Sequence, residues 1–72
     1  MIKLIWDFRG PDAQGIAEHY RIHLDQYVET NQLENVSCII ESVTGMYCMA
    51  IMTVEEKDAE LVKDALKPHR VE

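Results

Sequence analysis

Along the first nine residues Ile2, Leu4, Trp6 and Phe8 alternate with Lys3, Ile5, Asp7 and Arg9, a period of two that predicts a β-strand from Met1 to Arg9. "RGPD" then interrupts the alternation. Proline has a fixed φ and no N–H to lose, so Pro11 suits the first turn of a helix, with Gly10 or Asp12 as cap. From there the apolar positions run Ala13, Ile16, Ala17, Tyr20, Leu24, Tyr27, Val28, the three-four spacing of an amphipathic helix that ends near Asn31.

"NQLEN" closes that helix, and "VSCIIESVTGMYCMAIMTV" is rich in β-branched residues with Thr44-Gly45 as its evident turn, so a β-hairpin is expected. Taking Thr44-Gly45 as a two-residue loop sets Val43 opposite Met46, Glu41 opposite Cys48 and Ile39 opposite Ala50. One face then carries Val36, Cys38, Ile40, Tyr47, Met49 and Ile51; the other carries Ile39, Val43, Met46, Cys48, Ala50 and Met52 beside Ser37 and Glu41. Both faces are apolar in that register.

Thr53 and Glu56 have the T-x-x-E spacing of a capping box, which predicts a second helix with Ala59, Val62, Ala65 and Leu66 on one side, stopped by Pro68. The order is βαββα, and "PHRVE" has room only for a vestigial last strand. A right-handed crossover makes the first two strands parallel and leaves the hairpin return strand between them, in spatial order 1-3-2. The expected fold class is therefore α+β: a single ferredoxin-like domain over residues 1-72, a split βαββα with a short or absent fourth strand and two helices on one face of an antiparallel sheet.

Length changes the picture next. A chain of 72 residues has a marginal core unless a disulfide, a metal or a second subunit adds to it. Helices on one face leave the other apolar face uncovered, which predicts a homodimer through the open sheet face. With its last strand truncated, the first strand also has an edge to cover, by a partner chain or by the C-terminal "HRVE".

Thirteen acidic against seven basic residues give a net charge of −6 with no basic stripe, which argues against nucleic acid and anionic membrane as partners. "MIKLIWDFRG" is too short and too charged for a signal peptide or membrane span, and the expected location is cytoplasmic.

Several residues carry candidate chemistry. Cys38 and Cys48 fall on opposite hairpin faces in the register above and are expected as buried reduced thiols. Met46, Met49 and Met52 alternate faces on a strand and cannot converge on one soft metal ion. Asp7, near the strand end, could line a pocket mouth, and Trp6, Asp7, Tyr20, His23 and Tyr27 are the candidate ligand-binding residues. His19 and His23, four apart on the first helix, lie roughly 120° and 80° from the centre of its buried stripe. They are candidate acid–base groups or candidate ligands of one divalent ion, for which the sequence offers no complete third ligand, and the favoured reading is packing or surface histidine. The metalloprotease pattern would need Glu directly after the first His, where Tyr20 stands. No residue set calls for a cofactor.

"MIKLI" leading through "FRG" into a helix with "HYRIHL" resembles the opening of the EthD-type proteins of the dimeric α+β barrel group. The resemblance covers about the first third of the chain. It implies a ferredoxin-like fold that dimerises through sheet faces, with a cleft between helix and sheet that takes small organic molecules, in some members without metal. The chain departs from that pattern in its near-absent last strand.

Three functional readings follow: a dimeric small-molecule-binding, accessory or regulatory module; a small cofactor-independent enzyme using His19 or His23 as acid or base; and a divalent-metal-binding protein through the same pair.

Overall fold

The computed structural model describes residues 1–72. Strand β1 (Ile2–Arg9) leads into helix α1 (Ala13–Thr30), followed by strands β2 (Ser37–Thr44) and β3 (Tyr47–Val54), helix α2 (Glu56–Leu66) and a two-residue strand β4 (Arg70–Val71). The sheet order is β2-β3-β1-β4, with every neighbouring pair antiparallel. This is the ferredoxin-like split βαββα arrangement, with its fourth strand reduced to a stub.

Gly10 makes the turn out of β1 possible. Its φ of 113° lies where a side chain would be strained, and its N–H donates to Met46 O at 2.8 Å, tying the turn to the hairpin tip. Asp12 is the N-cap of α1, although its carboxylate makes no capping bond. At the far end Gln32 takes a left-handed conformation; its N–H reaches Glu29 O and that of Leu33 reaches Val28 O, the paired bonds of a Schellman motif. Helix α2 starts at Glu56 with Glu55 as N-cap. The expected capping box does not form, because β3 continues through Thr53 and Val54 and leaves Thr53 in the sheet. Lys67, left-handed, ends α2 one residue before Pro68.

The principal core lies between the helices and one sheet face. Leu4 and Trp6 of β1, Ala50, Met52 and Val54 of β3, Leu24 of α1 and Val62 of α2 form one buried cluster, joined at its margin by Tyr20, Tyr27, Val28 and Leu66. Trp6 also satisfies its indole N–H, which donates to Leu66 O at 3.1 Å. Ala13, Ala17 and Cys48 make a smaller satellite where small residues let α1 approach the sheet.

The hairpin register differs from the expected one. Cys38 opposes Met52, Ile39 opposes Ile51, Ile40 opposes Ala50 and Glu41 opposes Met49, and an irregularity between Ser42 and Thr44 absorbs one residue before Thr44 meets Tyr47. The loop is Gly45-Met46. Thr44 sets it with its side chain, whose hydroxyl accepts the Met46 N–H at 3.1 Å, while Ser42 donates to Thr44 O. A slip of one residue exchanges the faces of one strand relative to its partner. Cys38 and Ile40 therefore share the helix side with Cys48, Ala50 and Met52. The two cysteines lie on one face, not two, but four strand positions out of line, and both are free thiols. Burial pushes the Cys38 thiol up to about 11, an effect that nearby Asp25 reinforces, so it is poorly nucleophilic at neutral pH.

The open face is also less apolar than expected. It carries Lys3, Ile5, Asp7 and Arg9 beside Thr53, Ile51, Met49 and Tyr47, then Ser37, Ile39 and Glu41. One row of isoleucines, Ile5–Ile51–Ile39, crosses it between polar rows. On α1, Ile16 is not part of the buried stripe but 48% exposed, because it sits on the helix flank beyond the sheet. No helix is long and apolar enough to cross a membrane.

Candidate functional site

The five candidate ligand-binding residues do not line one cavity. Trp6 is buried, and Tyr20 packs against both Trp6 and Phe8 with ring centroids 5.3 and 5.5 Å away, its hydroxyl pushed toward higher pKa by burial. Tyr27 joins the same core margin. Asp7 is on the opposite side of the sheet, and His23 is exposed on the outer flank of α1.

Two other places gather polar chemistry. The first is a cavity of about 420 Å³, open to solvent and lined by Pro11, Asp12, Gly15, Ile16 and His19. It exists because α1 begins with a proline turn and because Gly15 contributes no side chain in its first turn. A Cβ placed on Gly15 would meet nothing within 4 Å, and its φ is not in the left-handed region. Neither backbone nor packing requires glycine there, so its effect is to keep the cavity floor low. His19 stands at one side of this hollow. Its Nε2 lies 3.1 Å from Nε2 of His23, one turn along, with the rings edge to face. Both rings are solvent-exposed, so the exposed flank of α1 bears the pair. No group of three His, Cys, Asp or Glu side chains is close enough to hold a metal ion between them.

The second place is the open face beside β4. Arg70 grips the Asp7 carboxylate with two bonds of 3.0 Å, the fork geometry that makes guanidinium–carboxylate pairs specific. The Tyr47 hydroxyl donates to the same carboxylate, and the Arg9 guanidinium stacks over the Tyr47 ring at 4.1 Å from its centroid. Arg70 and Tyr47 hold the Asp7 carboxyl below its ordinary value, while the hydrogen bond to Asp7 raises that of Tyr47. Asp7, Tyr47 and Arg70 bond to one another, and Arg9 is held by stacking on the Tyr47 ring. The evident role of this cluster is to pin the C-terminal stub to β1.

That stub closes the edge of the sheet. Lys3 and Glu72 exchange bonds of 2.7 and 2.8 Å, His69 N–H donates to Ile5 O, and Asp7 N–H donates to Nδ1 of the His69 ring at 2.9 Å. The imidazole stands in for a strand carbonyl. "HRVE" thus does what one of the two expected alternatives required, and β1 needs no partner chain along its edge.

The sequence reading missed Pro11, Asp12, Gly15 and Ile16 as cavity residues and Tyr47, His69 and Arg70 as a cluster. A glycine inside a helical pattern is a visible signal for the first set. The second depends on how β1 pairs with β3 and β4, which sets Asp7 opposite Met49 and Ile5 opposite Arg70. Comparison with known proteins gives no match to a family model, to a curated protein or to a solved structure.

Proposed function

We propose that the protein is a cytoplasmic small-molecule-binding module, accessory or regulatory in role, with its ligand site in the hollow at the start of α1. The observation that carries this reading is Gly15, a helical glycine that no contact demands, lining a shallow solvent-open hollow with Pro11, Asp12, Ile16 and His19. Ile16 offers apolar contact, His19 a hydrogen-bonding imidazole and Asp12 a carboxylate, so the guest is small, partly apolar and polar at one end. A cleft that takes small organic molecules is also what the EthD-type likeness of the first third implies.

The test uses a panel of small aromatic alcohols, amines and carboxylates with amide chemical shifts as the readout. Binding is expected to move resonances of Asp12, Gly15, Ile16 and His19 together. Gly15→Gln, which fills the hollow, should abolish those shifts. Gly15→Ala should raise stability by about 0.5–1 kcal/mol, because helical alanine is favoured over glycine and the added methyl has open space. Shifts that scatter over the chain, or that survive Gly15→Gln, would overturn the reading.

A homodimer through the open sheet face is part of the same proposal. Only 12 of the 72 residues are buried in one copy, and Ile39, at the end of the isoleucine row, is 51% exposed. A second copy laid on that row would enlarge a small core.

A further inference from the structure

The outer flank of α1 pairs His19, which also borders the ligand hollow, with His23, which does not. We infer that His19 and His23 form a two-imidazole chelate for a borderline divalent transition ion such as Cu²⁺, Ni²⁺ or Zn²⁺.

The argument begins with reach. Residues four apart on a helix are neighbours, and here the two Nε2 atoms meet at 3.1 Å. With metal–nitrogen bonds of about 2.0–2.1 Å, that separation corresponds to an N–metal–N angle of roughly 95–102°. The value lies between square-planar and tetrahedral, the geometries that Cu²⁺ or Ni²⁺ and Zn²⁺ prefer. The donors already stand at a chelating separation, and ring rotation turns both lone pairs toward a common point.

The proton count also closes. A contact between two Nε2 atoms requires one ring to donate and the other to accept, so one lone pair is already free. With both rings neutral, the donating ring moves its hydrogen to Nδ1 and the metal takes the place of the shared hydrogen; with one ring protonated, that proton leaves to solvent as the metal binds. Both rings are exposed, which leaves the remaining coordination positions to water or to a small anion. Electrostatics favour a cation there. The chain carries a net charge of −6, Asp12 lies in the hollow beside His19, and the single basic residue of α1, Arg21, is engaged with Asp25 at 2.8 Å. The third histidine, His69, is occupied on the sheet edge by Asp7 N–H.

The inference shares His19 with the ligand hollow but concerns a different guest, and its test uses metal alone. Untagged protein is titrated with Cu²⁺ and with Ni²⁺ by calorimetry. One ion per chain is expected, with affinity falling by at least about tenfold in either His19→Ala or His23→Ala, since one imidazole cannot chelate. His69→Gln should leave binding unchanged. Independently of any variant, substoichiometric Cu²⁺ should broaden the ring resonances of His19 and His23 while sparing His69, and the Cu²⁺ spectrum should show coupling to two nitrogens. Binding that survives loss of either helix histidine, broadening centred on His69, or no binding at micromolar metal would each overturn it. Failure of the organic panel with success here would separate the two proposals.

Discussion

On the helix side of the sheet, Leu4, Ala50, Met52 and Val54 meet Leu24 and Val62, all essentially inaccessible to water, and the one polar group among them, the Trp6 indole, is spent on Leu66 O. On the other side Ile5 and Ile51 are nearly as buried, at 3% and 8%, yet no second layer lies over them. The Arg70 stem starts beside Ile5 and its head reaches Asp7 and Met49, so a charged side chain covers apolar surface while its guanidinium stays satisfied. One face is closed by packing, which depends on shape. The other is closed by a charge pair with a long arm, which depends on ionisation and on the C-terminal stub staying in place.

The sharpest way to test that contrast is to cut into the packed side. Leu24→Ala removes a side chain with 1% exposure from the middle of the core and should cost about 2–5 kcal/mol, enough to leave a domain of this size largely unfolded in urea titrations. If it costs no more than an exposed substitution, packing does not hold that face.

The open side should respond to pH instead. Asp7 has its folded pKa lowered by Arg70 and Tyr47, so its contribution is present above the ordinary carboxylate value and lost as pH falls through the lower folded value. Arg70→Gln should weaken that acid-limb dependence, leaving the part due to Tyr47, and speed amide exchange at Lys3 and Asp7, the β1 positions bonded to the C-terminal segment. An unchanged acid limb and unchanged exchange in the variant would remove Arg70 from its role as the pin.

The smallest effect is expected at Ile39. As an exposed residue of a monomer, Ile39→Ser should change stability by no more than about 0.5 kcal/mol. In a dimer closed over the isoleucine row, the same change should lower the sedimentation mass at micromolar concentration. A parent protein that sediments as a monomer there would sink the dimer and leave Arg70 as the sole cover of the open face.

Much of this frame was legible in the chain. The alternation of β1 puts Ile2, Leu4, Trp6 and Phe8 on the helix side, the three-four spacing bounds α1 to within a residue of Asn31, and the element order and strand order follow from right-handed crossover. What failed was local and had a long reach. Gly45 is the obvious turn residue, but the Thr44 hydroxyl selects Gly45-Met46 as the loop and an irregularity near Val43 absorbs the difference. Side-chain capture of a backbone N–H is invisible to a pattern of apolar positions, and its result, Cys38 and Ile40 on the helix side, was hidden with it. The histidine pair was half legible: spacing predicts that His19 and His23 are neighbours, whereas the meeting of their Nε2 atoms is a matter of side-chain rotamers.

His69 and the residues after it have one more consequence, for self-assembly. "KLIWDF" is a short apolar run of high β-propensity with just two charges, the kind of segment that stacks with copies of itself once its backbone groups are free. Two strand residues, an imidazole and a terminal pair of bonds to Lys3 are what occupy those groups. The C-terminal stub therefore covers that edge, and trimming it should leave the backbone groups of Lys3, Ile5 and Asp7 open to another strand.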